Sequence, residues 1–373
     1  MRIGIIAPFH DFGGSEHQII LLLRGLRRQG IEFVLFHLEI RSPELLAKLE
    51  SIPNCKHVEI HLRSMKNLFL FWGDMQNMAK QLRKFECELV HCWNYTGHII
   101  GGVVSKLTRM PSIFSIGGLD PWKKAWQLPF YRLLNWLVDV FVFQSYIERD
   151  AVSQREWIPL KRTKIIPNGV DHARFHISNR DEVRAEIRKE MSLCFSLPLI
   201  LSVGSLRQIK GHDVLIEAVR RICETQPDLR FHVLIVGNGP LRETYEQSAR
   251  GLPISFAGFR KDVERFYLAA DLYCQPSRSE GLPNAVIEAM GSGLPIIASD
   301  VGGMSELVTF ENGLLCKPGD SETLAMQLHT MLTHPGWWPG MAVASSRMCN
   351  RFSVEKMVDA YISLYKNLIP NAN

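Results

Sequence analysis

The sequence predicts a two-domain α/β protein in which each of two parallel sheets is wrapped by helices on both faces. Three observations predict it. Short β-branched runs alternate with amphipathic stretches from end to end of the 373-residue chain. The runs are apolar, bounded by turn residues and separated by helical patterns, as parallel strands covered on both faces require. The alternation pauses once, between Ile165 and Leu199, and then restarts, and the chain is long enough for two domains of about 150 to 200 residues each. The expected division is residues 1–170 and 171–352, with a final helix over 353–373.

Taken in order, Ile3–Pro8 reads as a strand, Glu16–Gln29 as a helix, Phe33–Leu38 as a strand and Glu44–Glu50 as a helix. His57–Leu62, the helical stretch Asn67–Lys84 and the strand Leu89–Cys92 continue the pattern. The pause holds the turn Ile166-Pro167-Asn168-Gly169-Val170-Asp171 and a charged helix from Asp181 to Met191. The second unit begins at Leu199–Gly204 and repeats through Phe231–Gly237, Ile254–Gly258, Leu272–Pro276, Ile296–Ser299 and Leu314–Pro318. Ser353–Leu368 has helical periodicity and no strand after it. In doubly wound folds ligands sit outside the carboxyl ends of the strands, so the site is expected in a cleft between the halves.

Composition narrows the class. With 46% hydrophobic and 22% charged residues this is ordinary globular material. Met1-Arg2 leads straight into a strand, with no charged-then-apolar leader, so a cytoplasmic protein is expected. The stretch Leu133–Phe143, broken by Asn135 and Asp139, is too short for a membrane helix. The eight cysteines are scattered without a Cys-x-x-Cys pair, which favours reduced thiols over a zinc site. Residues 1–168 hold 22 Lys and Arg against 15 Asp and Glu, an excess of +7 that leaves −2 for the rest. That excess favours an anionic partner in the first half: a membrane surface, a phosphorylated lipid or an acidic glycan. Leu62–Trp72 and Trp122–Arg132 interleave aromatics with cations there. Either rests on an anionic bilayer, at the inner face of the membrane, or packs on the sheet with snorkelling lysines.

The most informative segment is Ser279-Glu280-Gly281-Leu282-Pro283, continuing through Glu288-Ala289-Met290-Gly291-Ser292-Gly293-Leu294-Pro295 to Gly302-Gly303-Met304-Ser305-Glu306. It sets two carboxylates eight positions apart around a helix start, with Pro283 expected in the first turn. Unpaired amides and a partial positive charge there suit a diphosphate. Upstream, Gly13-Gly14 follows the first strand, where bare backbone lets a ligand approach; the plain alternative is a turn capped by Ser15. Gly237-Asn238-Gly239-Pro240 imitates half of a dinucleotide fingerprint, but Arg242 replaces its third glycine, which disfavours a nicotinamide enzyme.

The whole string in order, Ser-x-x-Glu-Gly-x-Pro with Glu-x7-Glu, Glu-Ala-Met-x-x-Gly-x-Pro and Gly-Gly-x-x-Glu, resembles the retaining glycosyltransferases of family 4. The resemblance implies the GT-B fold, two Rossmann-like domains facing across a cleft, with the last helix crossing back to the first. It implies a sugar moved from a nucleotide diphosphate donor, a UDP-sugar, to a glycan or lipid-linked acceptor in cell-surface polysaccharide synthesis, with no metal, no cofactor and no nucleic acid. Val203-Gly204-Ser205-Leu206-Arg207-Gln208-Ile209-Lys210 is similar to the family's cationic phosphate loop, so Arg207 and Lys210 are expected to neutralise the leaving diphosphate. Ser205 departs from the family pattern by standing where an Arg is usual. By the same resemblance Gly13 and Gly14 touch the diphosphate, and Glu280 with the backbone of Gly281, Leu282, Pro283 and Asn284 holds the transferred sugar. Glu288 takes the ribose hydroxyls, and Arg260 stands beside the base. Gly117 occupies the place of a sugar-contacting His, leaving Asp120, His10 or His91 as candidate substitutes. Ser205 and Gly117 keep open an alternative, a catalytically silent nucleotide-sugar-binding partner subunit.

Overall fold

The structure is a computed structural model; it describes residues 1–8, 14–63, 67–118, 125–175 and 179–369. Among the described residues thirteen strands form two wholly parallel sheets. The chain divides into two units, residues 1–169 with 354–373, and residues 170–353.

In the first unit the strands are β1 Arg2–Ile6, β2 Glu32–His37, β3 Lys56–Glu59, β4 Leu89–Trp93, β5 Ser112–Ser115, β6 Val140–Phe143 and β7 Thr163–Ile165. They lie in the order β3-β2-β1-β4-β5-β6-β7, so the winding direction reverses between β1 and β4. Strand residues alternate between two cores: Ile3 and Ile5 of β1 face one, Ile6 the other. The apolar stretch Leu133–Phe143 resolves into the end of a helix, Leu128–Leu134, a one-turn segment, Asn135–Leu137, and β6. Asn67 caps the helix Leu68–Lys84, its side-chain oxygen accepting from Phe69 N at 3.1 Å and Leu70 N at 3.2 Å.

The last helix, Val354–Leu368, closes one face of this unit. It crosses the helix Gly14–Arg28 at Gly25, where a Cβ would lie 2.2 Å from Val358 Cγ2, so only glycine permits the approach. Its hydroxyls reach the sheet. His91 Nδ1 is 2.8 Å from Tyr365 Oη, and His91 Nε2 is 2.7 Å from Ser115 Oγ, which lies 2.9 Å from Tyr361 Oη. The exit of the chain is pinned by Gln18, whose buried amide donates to Gly169 O and accepts from Gly169 N, both at 3.0 Å.

The second unit holds β8 Leu199–Val203, β9 His232–Val236, β10 Ile254–Gly258, β11 Leu272–Gln275, β12 Ile296–Ser299 and β13 Gly313–Cys316, in the order β10-β9-β8-β11-β12-β13. Its reversal point is β8/β11. Both faces are buried, one under Val286, Ile287 and Met290, the other under Val214, Leu215 and Leu328.

Candidate active site

At β8/β11 in the second unit the loops leaving adjacent strands are locked together before any side chain is considered. Gly237 has φ +146°, and a Cβ there would lie 1.9 Å from Gly204 O. Leu206 N donates to Asn238 O at 3.0 Å, and Leu241 N to Leu206 O at 3.1 Å. The half-fingerprint at Gly237-Asn238-Gly239 is therefore a brace for the loop after β8. Gly211, at φ +69°, closes that loop, and its Cβ would strike Pro276 O at 1.9 Å.

Arg278 ties the same two loops from the other side. Its guanidinium makes a bidentate pair with Asp213 at 2.7 and 2.6 Å and donates to Gln208 O at 2.9 Å, while its amide donates to Ile209 O at 2.8 Å. Sequence reasoning missed this residue. The only signal was an arginine one position before the motif, which says nothing of a partner 65 residues away.

Within this frame Lys210 Nζ lies 2.7 Å from Glu280 Oε1. The same oxygen accepts from Ser277 Oγ at 2.6 Å and Gln275 Nε2 at 3.2 Å, and Tyr273 Oη donates to Gln275 Oε1 at 2.5 Å. Glu280 is thus fixed by donors reaching back into the core, and its other oxygen has no partner among the described residues. Lys210 is part-buried. Arg207 is exposed, and its side chain makes no hydrogen bond or ion pair with the described residues. Structure thus brings Lys210 and Glu280 into contact and leaves Arg207 available at the edge of the same loop. His212, wholly buried behind Gly204, has its pKa pushed down to about 4 by burial and then by the Lys210 charge, so it adds no cation.

Gly281, Leu282, Pro283 and Asn284 form the turn from this carboxylate into the helix Asn284–Gly291. Gly302, at φ +54°, supports the turn: its Cβ would lie 2.0 Å from Glu280 O, and Gly303 N donates to Gly281 O at 2.7 Å. The expected position of Pro283 in the first helical turn is corrected to the N-cap, where its carbonyl accepts from Val286 N at 3.1 Å. No acidic side chain stands in the first turn, so the dipole there is not neutralised by the protein's own carboxylates.

Glu288 is in this helix and part-buried, with Oε2 accepting from Tyr267 Oη at 3.0 Å. Burial pushes its carboxyl up to about 7, against the Tyr267 hydrogen bond and the nearby Arg174 charge. A carboxyl raised this far is partly protonated near neutral pH.

Arg260 is also corrected. Its Nε and Nη2 donate to the two Asp262 oxygens at 2.9 and 3.0 Å, and Nη1 to Glu190 Oε1 at 2.6 Å. The guanidinium braces the loop after β10 to the helix Arg180–Glu190.

In the first unit Gly14 starts the helix Gly14–Arg28, exposed, while Gly13, His10 and Asp120 lie outside the described residues. Gly117 has room for a side chain, since its Cβ would come no nearer than 3.7 Å to Gln144 Nε2. His91 is excluded as a sugar contact: it is buried, both ring nitrogens are occupied, and burial pushes its pKa down to about 3. No group of three metal-ligating side chains occurs among the described residues, and all eight cysteines are free.

Comparison with known proteins adds to this geometry. The family described as "Glycosyltransferase Family 4" matches residues 12–174, and "Glycosyl transferases group 1" matches residues 197–334. A putative teichuronic acid biosynthesis glycosyltransferase, TuaC of Bacillus subtilis, is 33% identical over 64% of this chain and 60% of its own. An Escherichia coli UDP-Gal:alpha-D-GlcNAc-diphosphoundecaprenol alpha-1,3-galactosyltransferase is 25% identical over 95% of this chain and 96% of its own. The chain spans 47% and 60% of the length of two relatives above 30% identity. The crystal structure of Anabaena Alr3699/HepE in complex with UDP superposes with a TM-score of 0.85 at 21% identity, over 99% of this chain and 100% of that one.

Proposed function

The chain belongs to the family-4 glycosyltransferases of GT-B fold, and from that premise we propose that it moves a sugar from a uridine diphosphate donor to a glycan or lipid-linked acceptor, with retention at the anomeric carbon. The observation that carries this reading is the Lys210–Glu280 pair beside the exposed Arg207, at the point where the second sheet reverses. Solved and curated relatives that bind UDP or use UDP-galactose support the donor, and the relatives named for teichuronic acid and diphosphoundecaprenol chemistry support a cell-surface product.

In this mechanism the diphosphate lies on the first turn of the helix Asn284–Gly291, with its charge met by backbone amides and by the two cations. As the sugar–oxygen bond breaks, negative charge grows on the departing phosphate, and Lys210, already aimed by Glu280, gains most in the transition state. The departing phosphate oxygen accepts the proton of the acceptor hydroxyl on the face where the new bond forms. Glu280 holds sugar hydroxyls through its spare oxygen, and Glu288 holds the ribose. Cations supply the neutralisation, so the reaction runs without a metal.

A panel of nucleotide sugars tests this, first by protection against thermal unfolding, then by transfer to lipid and glycan extracts with the product anomer read by NMR. Transfer with retention that survives a chelator is expected. Nucleotide binding without transfer or hydrolysis of any donor would instead identify a binding subunit, and a strict magnesium requirement would overturn the roles given to Arg207 and Lys210.

A further inference from the structure

The first unit carries an apolar ridge turned away from its core. Trp126, Phe130, Leu133 and Trp136 recur at spacings of four, three and three residues through the helix Leu128–Leu134 and the single turns on either side of it. That spacing puts them on one side of a helical rod. Trp126 is 74% exposed, Leu133 68% and Trp136 80%, with Phe130 half exposed. The opposite side of the rod does the ordinary packing: Leu134 is buried, and the Tyr131 ring meets Tyr95 edge-on at 5.2 Å.

Trp157 extends the ridge. It ends the helix Tyr146–Glu156 at φ +56°, a left-handed position that favours glycine, yet it carries a bulky ring that is 70% exposed. Arg132 stands 3.7 Å over that ring and donates to Arg155 O at 2.9 Å, which joins the two helices under the exposed rings. Leu160 follows, also more than half exposed.

Charge around the ridge is net positive. Of the carboxylates between residues 125 and 165, Glu148 and Glu156 are buried, while Asp139 and Asp150 pair with Lys106 and Arg149. Lys161 and Lys164 are exposed with no ion-pair partner among the described residues, and Lys123 and Lys124 precede the segment in the chain. The ridge also belongs to the half of the chain with the +7 excess.

We propose that this ridge seats the first unit on an anionic lipid bilayer, with the indole and phenyl rings at headgroup depth and the lysines on lipid phosphates. Splayed tryptophans flanked by unpaired cations are the composition of an interfacial anchor. A protein partner would instead call for carboxylates opposite these lysines and a groove to receive the rings. No helix among the described residues is long and apolar enough to cross a membrane, so the contact is a surface one. It is independent of the catalytic reading.

The test uses the full chain with vesicles of phosphatidylcholine and of phosphatidylcholine mixed with phosphatidylglycerol. Co-sedimentation with the mixed vesicles, weakened by salt, and quenching of tryptophan fluorescence by brominated acyl chains are expected. Leu133→Ser with Trp136→Ser should lower the partition coefficient at least about tenfold, and Lys161→Glu with Lys164→Glu about thirtyfold or more. Phe310→Ser, an exposed ring in the second unit, should leave it unchanged. Absence of partition, partition indifferent to lipid charge, or partition unaltered in both double variants overturns the proposal. So does a change of oligomeric state in the serine variant without a change in partition, which would make the ridge a contact between copies. If a variant fails to fold, bromolipid quenching of the unaltered protein decides alone.

Discussion

Both units place a polar cluster beside the point where their strand order reverses, and the two clusters are spent differently. In the first unit, His91, Ser115, Tyr361 and Tyr365 consume one another's hydrogen-bonding capacity in a fully buried network that holds the last helix to the sheet. In the second, the network running from Tyr273 through Gln275 and Ser277 ends at a carboxylate with one oxygen left over, beside a part-buried lysine and an exposed arginine. Satisfaction and enclosure make the first a fastener. The second keeps unspent donors and an acceptor at an accessible edge, which is why the proposed chemistry is assigned to it.

The largest expected effect tests that contrast on the catalytic side. Lys210→Ala should lower kcat by about 10²- to 10³-fold, the usual loss when a charge-stabilising donor is removed, while nucleotide affinity falls by about tenfold or less. Equal losses in kcat and in affinity would show that Lys210 binds the ground state only.

The opposite pattern is expected in the first unit. His91→Phe strands the Tyr365 hydroxyl and leaves Ser115 with Tyr361 alone, and should cost about 1 to 3 kcal/mol in urea unfolding, the usual penalty for one buried unsatisfied group. Turnover per folded molecule should not change. Because burial holds the native His91 pKa near 3, the unfolded chain takes up a proton below about 6.5 while the native protein does not. Stability therefore falls as pH drops from about 6.5 towards 3, and His91→Phe should remove part of that slope. A variant that loses turnover at unchanged stability would erase the distinction between the two clusters.

A smaller effect sharpens the second cluster. If ribose hydroxyls need an ionised Glu288, whose carboxyl burial pushes up to about 7, binding must release part of a proton per molecule at neutral pH and nearly a whole one below it. Nucleotide affinity should then rise with pH, by up to about tenfold per unit below 7, and level off above it. Calorimetry in buffers of different ionisation enthalpy measures the proton directly. Glu288→Gln should flatten the profile, and a profile already flat in the unaltered protein would remove Glu288 from the ribose.

Much of this was legible in the sequence because it is local. Apolar runs between turn residues gave both sheets, helical periodicity gave the stretch Asn67–Lys84, and the Glu280–Glu288 spacing located the turn before the helix Asn284–Gly291. What was hidden depends on partners distant in the chain. The Arg278–Asp213 clasp joins residues 65 apart and the His91–Tyr365 bond residues 274 apart, and no periodicity encodes either. The direction of side chains in the apolar stretch Leu133–Phe143 was hidden for a related reason: Leu133 and Trp136 face outward, whereas Leu134 and Phe141, Val142 and Phe143 of β6 are buried, and a run of apolar letters is silent about direction.

Arg260 supplies the smallest effect and the strictest check on reading a site from spacing. A loop arginine after β10 looks available in the sequence, but here three of its nitrogens are committed to Asp262 and Glu190, and its guanidinium lies 4.8 Å over the Phe266 ring. Recruiting it to a base would break those bonds for one new contact. Arg260→Gln should therefore change nucleotide affinity by less than about threefold. The stability loss should also be small, because Arg265 still pairs with Asp262 at 3.2 Å and Glu190 is open to water. Displacement titration with a fluorescent nucleotide reads the difference; a loss of tenfold or more would mean that the ion pairs open on binding and that the guanidinium turns to the ligand after all.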